Sequence, residues 1–302
     1  MPPTAQPSPI EPGREGKRTQ DFRKLLIEGL GIPEKRQAHL PRGFQRIGHI
    51  VILNLKPDVM DLAGDIAGIV LENYPYVRTV CLTQGVSGEL REPSVMWLAG
   101  ERGTETVHTE NRCRFRLDVT RVMFSKGNLA ERARLPAMVN PGETIVDMFA
   151  GIGYFSIPIA RHARPGQVYA IEKNPAAFNY LKENTRLNRV QDRVTPILGD
   201  CREVRTGDLA DRVIMGYLPG TYQYLPAAFG ALKPGGGIIH YHDTFAESEL
   251  WEKPLDILET QAFRAGYALK AVRHRAVVKE YAPGVCHAVV DVEFASRKPA
   301  EI

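Results

Sequence analysis

From Pro141 onward the chain alternates short apolar runs with helix-like stretches, and this alternation leaves it few folds. ETIVDMFA (143–150), GQVYAIEK (166–173), RVTPILGD (193–200), DRVIMGYL (211–218) and GGIIHYHD (236–243) are apolar runs of the kind that strands show when helices cover both faces of a parallel sheet. Between the second and third lies NPAAFNYLKENTRLN (174–188), a helical pattern with Pro175 suited to its first turn. After a helix near 249–265, ALKAVRHRAVVKEY and VCHAVVDVEFAS flank Ala-Pro-Gly and predict an antiparallel hairpin. Five parallel strands followed by an antiparallel pair predict a doubly wound α/β sheet, whereas a dinucleotide dehydrogenase would need further parallel units.

Upstream the texture differs. Residues 1–16 are rich in Pro, Gly and charge and predict a disordered arm. Residues 17–140 predict a smaller α+β domain, leaving 141–302 as the main one. In the smaller domain DFRKLLIEGLG is helical and closed by Gly31 and Pro33, IGHIVILNL is a strand, PDVMDLAGDIAGIVLENY is an amphipathic helix, and CRFRLDVTRVMFS is a strand with alternating faces. Arg112, Arg114 and Arg116 then share one face, with Cys113, Phe115 and Leu117 on the other.

At 302 residues the chain can bury a sizeable core. No run approaches the roughly 18 apolar residues of a membrane helix, and the first twenty lack the apolar centre of a signal peptide, so a cytoplasmic protein that binds no membrane is expected. Cys81, Cys113, Cys201 and Cys286 are dispersed without a CxxC or CxxH pair, which predicts reduced thiols and no metal site. The net charge of +4 is unevenly placed: residues 1–46 hold nine Lys/Arg against five Asp/Glu, and 112–134 hold seven against two. Two basic stretches suit a polyanion partner.

DMFAGIGYFSIPIA (147–160) follows a strand and opens a helix. Gly151 and Gly153 allow the tight turn, and the loop with Phe149 can approach a ligand at the helix N-terminus. Asp147 ends the first strand. Glu172, twenty-five residues on, ends the second, where a carboxylate can accept both ribose hydroxyls. The third strand ends in Gly-Asp-Cys, placing Asp200 for an exocyclic adenine amine and the Cys201 backbone for a ring nitrogen. The loop lacks lysine, arginine and the full GxGxxG, so a phosphate-bearing cofactor fits poorly. S-adenosylmethionine, with its ribose and sulfonium, fits best, within a class I methyltransferase-like Rossmann sheet ending in an antiparallel hairpin.

VMFSKGNLAERARL (122–135), GETIVDMFAGIGYFSIPIA, VYAIEKNPAAFNYLKENTRLNRV and the following Gly-Asp are similar to the archaeal-type enzymes that modify the purine 3′ of the anticodon in phenylalanine tRNA. The similarity covers roughly 45–295. Two branches are in play, the tRNA guanine-N1 methyltransferases and the wybutosine-synthesizing protein 2 family. The first carries an Asn-Leu-Pro or Asn-Pro-Pro motif at the tip of the fourth strand; this chain has Met215-Gly216-Tyr217 there, which resembles the second. The resemblance implies transfer of the 3-amino-3-carboxypropyl group of S-adenosylmethionine to tricyclic 4-demethylwyosine, leaving methylthioadenosine. N1-methylation of guanosine is the alternative, and a non-catalytic RNA-binding module is the reading from another class.

The resemblance assigns Ser125 and Arg132 to the cofactor. A guanidinium and a hydroxyl suit the carboxylate of its amino-acid arm, which must be held firmly if the chain carbon rather than the methyl is to meet the base. The bland alternative for Arg132 is an exposed ion pair with Glu131 or a nearby acid. His242, on the fifth strand, is the candidate to take the proton that the base carbon loses, with solvent as the alternative. Tyr217, with Tyr222 and Tyr224 as lesser candidates, suits stacking on an unpaired base. Arg112, Arg114, Arg116, Arg121 and Lys126 are the candidate phosphate contacts to phenylalanine tRNA, and a monomer is expected.

Overall fold

The computed structural model describes residues 21–297; the arm expected over 1–16, residues 298–302 and the side chain of Lys126 lie outside the described residues. The chain begins with α1 (Phe22–Leu30), whose N-terminus is capped when the Asp21 carboxylate accepts from Arg23 N, and whose end is set by Gly31 at φ 58°. After the short α2 (Glu34–Gln37) come β1 (Gln45–Ile47), β2 (Ile50–Leu53), α3 (Ala63–Asn73), β3 (Thr79–Ser87) and β4 (Glu92–Gly100). These strands form one sheet in the order β1-β2-β3-β4, with β2 and β3 parallel and the other pairs antiparallel. β3, β4 and the next strand escape the sequence reading because they alternate faintly and lie partly exposed.

β5 (Glu105–Glu110) and β6 (Cys113–Asp118) make a separate hairpin. β6 does alternate, with Cys113, Phe115 and Leu117 buried and Arg114 and Arg116 exposed. The expected strand over CRFRLDVTRVMFS stops early, because the Asp118 carboxylate accepts from the backbone and hydroxyl of Thr120 and turns the chain. Arg112 is not on the strand but at the hairpin turn, with φ 59°.

The remainder is α4 (Leu129–Met138), β7 (Thr144–Asp147), α5 (Ser156–His162), β8 (Gln167–Glu172), α6 (Pro175–Leu187), β9 (Val194–Leu198), β10 (Arg212–Met215), α7 (Leu225–Ala231), β11 (Gly236–Ala246), α8 (Glu252–Arg264), β12 (Tyr267–Ala282) and β13 (Val285–Ser296). The sheet order is β12-β13-β11-β10-β7-β8-β9. The five strands from β9 to β11 are parallel, and β13 inserts antiparallel between β11 and β12, as the hairpin pattern predicts.

The hairpin β5–β6 is fastened to α6 by two asparagines one helical turn apart. Asn184 Oδ1 accepts from Arg116 N at 2.7 Å and its Nδ2 donates to Arg116 O at 3.1 Å; Asn188 repeats the exchange with Arg114 at 2.8 and 2.7 Å. Side-chain amides thus act as a strand edge for β6, satisfying buried backbone groups that no neighbouring strand reaches. One apolar core joins Ile47, Ile50 and Cys81 of the first sheet, Phe115 of the hairpin and Ile145 and Ile157 around the second sheet.

Candidate active site

The carboxyl ends of β7, β8, β9 and β10 open into a cavity of about 230 Å³. Topology places a ligand there, since parallel strands reverse direction of winding about β7. Asp147 lies beneath this floor, fully buried, and does not line the cavity. It accepts from Ser156 Oγ at 2.6 Å and Phe149 N at 3.3 Å, and burial pushes its pKa up to about 6. Its part is to set the loop that follows β7, a correction to its expected contact with a ligand.

Gly151 adopts φ 57°, and its N–H donates to Glu172 Oε2 at 2.7 Å while Asn174 N donates to Oε1 at 2.7 Å. Each Glu172 oxygen therefore has one backbone donor and keeps acceptor capacity toward the cavity it lines. Burial raises its pKa and the backbone donors oppose that rise. A Cβ at Gly153, φ 101°, would run into Ile157 and Leu181, so this glycine permits packing on α5 and α6 and does not reach the cavity.

Asp200 and Cys201 both line the cavity. Asp200 is held by Arg202, with Nε on Oδ1 at 2.9 Å and Nη2 on Oδ2 at 2.5 Å, and by Lys173 at 3.1 Å, while Arg202 N also donates to Oδ1. The hydrogen bonds and charge of Arg202 hold its carboxyl far below the usual range. These donors fill its acceptor positions, so an amine would have to displace one. Burial pushes the Cys201 thiol up to about 12, leaving it neutral.

Ser125 and Arg132 meet at the opposite wall, where Arg132 Nη1 donates to Ser125 O at 3.1 Å. Arg132 is 1% exposed and pairs with neither solvent nor Glu131. Its Nε and Nη2 take both oxygens of Glu110, at 2.5 and 2.8 Å, and the guanidinium lies 5.0 Å from the Phe124 ring centre. Burial raises the Glu110 pKa, but hydrogen bonds from His108 and Arg132 outweigh this and hold it below the ordinary value. Glu131 is engaged by Arg134 instead, at 2.7 Å. The fork that sequence reasoning reserves for a carboxylate ligand is thus already on a protein carboxylate, and the exposed ion pair does not form either.

At the tip of β10, Gly216 and Tyr217 line the cavity. A Cβ at Gly216 would fall 3.1 Å from Phe155 Cε2, so a larger residue there requires Phe155 to give way. Tyr217 stacks on Phe149 at 5.3 Å and 28°, and Tyr224 meets both rings edge-on. Tyr222 is half exposed and does not line the cavity.

His242 is not brought to the cavity. It is 1% exposed, its Nδ1 lies 3.0 Å from His287 Nε2, and Phe155 packs over it with ring centres 5.9 Å apart. Burial pulls its pKa down to about 3, which makes it a poor proton acceptor. The neighbouring polar residues of β11 are scaffolding as well: His240 sits between Arg212 and Asp291, and Asp243 accepts from Gly220 N, Tyr222 N, Thr244 N and Tyr241 Oη, fixing the loop after β10.

None of the basic candidates Arg112, Arg114 and Arg116 lines the cavity. Arg116 is paired with Glu105 and with Glu183, whereas among the described residues Arg112 and Arg114 have no carboxylate partner. Sequence reasoning missed six lining residues, from three segments of the chain. Glu89, Leu90 and Arg91, at the tip of the β3–β4 hairpin, form one wall: Lys173 Nζ donates to Glu89 at 2.6 Å, Asn174 Nδ2 to Leu90 O at 3.3 Å, and Arg91 Nη1 to Leu218 O at 3.0 Å. Asn174 caps α6 by accepting from Ala176 N and Ala177 N. Lys279 and Tyr281 reach in from β12. Only Asn174 had a sequence signal, its place before Pro175; the others come from segments far off in the chain. Among the described residues no cluster of His, Cys, Asp and Glu could hold a metal, and no helix is long and apolar enough to cross a membrane.

The sheet order and a cleft walled at its carboxyl ends define the class I methyltransferase-like fold. Comparison with known proteins narrows this. The profile of the TRM5/TYW2 methyltransferase domain matches residues 106–272, and that of the TYW2 N-terminal domain matches 22–104. The chain belongs to the TRM5/TYW2 family. It is 44% identical over 251 residues to the tRNA(Phe) (4-demethylwyosine(37)-C(7)) aminocarboxypropyltransferase of Methanocaldococcus jannaschii, covering 83% of this chain and 97% of that one. Among solved structures, Pyrococcus horikoshii TYW2 in complex with MeSAdo matches with a TM-score of 0.77 at 36% identity, over 91% of this chain and 98% of that one. Trm5b from Pyrococcus abyssi matches with a TM-score of 0.82 at 32% identity, over 95% and 88%.

Proposed function

We propose that this protein transfers the 3-amino-3-carboxypropyl group of S-adenosylmethionine to the tricyclic 4-demethylwyosine base 3′ of the anticodon in phenylalanine tRNA, working as a cytoplasmic monomer. The observation that carries the reading is a strand-end cavity holding Ser125, Glu172 and Gly216, in a chain that spans nearly all of a relative named for this activity. The donor set suits the co-substrate: Glu172 offers one acceptor position on each oxygen for a ribose diol, and the Ser125 hydroxyl lines the same cavity. The sulfonium supplies three breakable C–S bonds.

The residues of this chain decide which carbon is presented. Ser125 can donate to the carboxylate of the amino-acid arm, and Arg132, its fork held by Glu110, keeps its Nη1 edge beside Ser125. Phe149 and Tyr217 form the aromatic wall for the adenine or the tricyclic base. Gly216 lets Phe155 pack close to the backbone where the guanine-modifying branch carries an amide. In the transfer a C–S bond breaks, a C–C bond forms, methylthioadenosine departs with the electron pair, and the base carbon loses a proton. His242 is buried behind Phe155, so that proton passes to solvent or to a cavity group. Arg112 and Arg114 remain the candidate phosphate contacts.

N1-methylation is the second reading, favoured by the likeness to Trm5b. Incubation with tRNA bearing the tricyclic precursor and S-adenosylmethionine labelled separately in methyl and carboxyl carbons decides between them. Carboxyl label is expected in the RNA; methyl label there, with the carboxyl label left in solution, overturns the proposal.

A further inference from the structure

Among the described residues, four cationic side chains line the cavity: Arg91, Arg132, Lys173 and Lys279. Two are neutralised, Arg132 by Glu110 and Lys173 by Glu89 and Asp200. Arg91 and Lys279 have no carboxylate partner among the described residues. They come from distant parts of the chain, Arg91 from the β3–β4 turn and Lys279 from β12, to line the same cavity, where the charge of Arg91 acts on Lys279. Holding two like charges together without a counter-charge is unfavourable, the more so against a partly dry wall. Such a pair is relieved when an anion binds.

We infer that Arg91 and Lys279 form an oxyanion seat in the cavity wall. This rests on the proposed function, whose reactants bring in two oxyanions, the carboxylate of S-adenosylmethionine and a phosphodiester of the RNA. The local build suits either. Arg91 is fixed at φ 56°, its backbone N–H donates to Gly88 O, and among the described residues its guanidinium makes one hydrogen bond, Nη1 to Leu218 O. Lys279 lies over Gly127: a Cβ at 127 would fall 2.7 Å from Nζ, so the glycine gives the ammonium its place two residues from Ser125. The Arg132 fork is spent on Glu110, so a carboxylate entering the cavity needs another partner. Burial and the charge of Arg91 both lower the Lys279 pKa, as expected for an ammonium awaiting an anion.

The test measures binding rather than turnover. Lys279→Met, Arg91→Met and the double variant are titrated calorimetrically with S-adenosylmethionine and with its decarboxylated analogue, and by filter binding with tRNA. A loss of about tenfold or more toward S-adenosylmethionine but not toward the decarboxylated analogue assigns the seat to the carboxylate. A similar loss toward tRNA assigns it to a phosphodiester. Affinities within about twofold of the parent for both, or equal loss toward the two adenosyl compounds with tRNA binding unchanged, overturn the inference. Gly127→Ala keeps both charges while displacing the ammonium, and is expected to reproduce the selective loss at smaller size. Failure of the functional reading shows separately, as methyl label in RNA made by the parent protein.

Discussion

Arg132 carries two demands at once, because its fork holds Glu110 while its Nη1 edge stays at the cavity wall beside Ser125. With the pair buried, removing one partner strands the other charge away from water. Arg132→Met is therefore expected to destabilise the fold by about 3–5 kcal/mol, and Arg132→Met combined with Glu110→Met to recover much of that, measured by urea unfolding. If both variants unfold at the same urea concentration as the parent, the pair contributes nothing. The prediction bears on activity assays as well: loss of turnover in Arg132→Met reports on the cofactor only if the double variant, folded, is equally inactive. At this scale the sequence was legible where chemistry is local. Gly151 and Glu172 sit at strand ends, and strand ends can be read from apolar runs. The Glu110 partner, twenty-two residues from Arg132 and on another element, left no such mark. His242 was misread for a different reason: β11 is buried on both faces through its middle, so alternation carries no information on which side chains face the cleft.

The parallel strands, the helix at 175–187 and the terminal hairpin form where their patterns place them, since each is an unbroken run with its own start and stop signals. β5 escaped because its pattern is weak and β6 lacks a neighbouring strand on one edge; the α6 asparagines supply that edge, a pairing invisible until helix and hairpin are adjacent. Asn184→Ala or Asn188→Ala leaves the N–H and C=O of one β6 residue without partners. The expected cost is about 1–3 kcal/mol each. Hydrogen exchange should quicken at the Arg116 amide in the first variant and at the Arg114 amide in the second, with the seven-stranded sheet protected as before. Uniform acceleration over the sheet would mean that these asparagines support the fold as a whole rather than the hairpin.

Across the whole molecule, three chain regions converge on one cleft and one core crosses from the first sheet to the second, while the most strongly shifted buried groups gather in the seven-stranded sheet. His242 and His287 are the most exposed to this argument in the thermodynamic sense: both are buried and neutral, burial pulls each down to about 3 from an ordinary 6.5, and the outer nitrogens, His242 Nε2 and His287 Nδ1, have no hydrogen-bond partner. Between pH 6.5 and 3 the unfolded chain binds protons at these two sites that the folded protein does not, so their contribution is fully present above 6.5 and is lost as pH falls. Asp147 acts in the other direction. Raised from 3.8 to about 6 by burial, it is protonated in the folded protein where the unfolded chain is ionised, so it favours the fold more as pH drops through that window. Each histidine can contribute up to about 1.4 kcal/mol of lost stability per pH unit on acidification; His240, lowered by burial, adds to that loss, while Glu172, raised by burial, acts with Asp147 against it. Below that, Asp291, held well under its ordinary value by His240 and Arg134 despite its burial, steepens the loss. Urea midpoints across pH 4–7 give the slope directly. Replacing both histidines, His242→Leu with His287→Phe, removes these two favourable terms, so in that variant the loss of stability from pH 6 to 4 is expected to be smaller than the parent's; a variant that keeps the parent's full acid loss would show that the histidines are not its source.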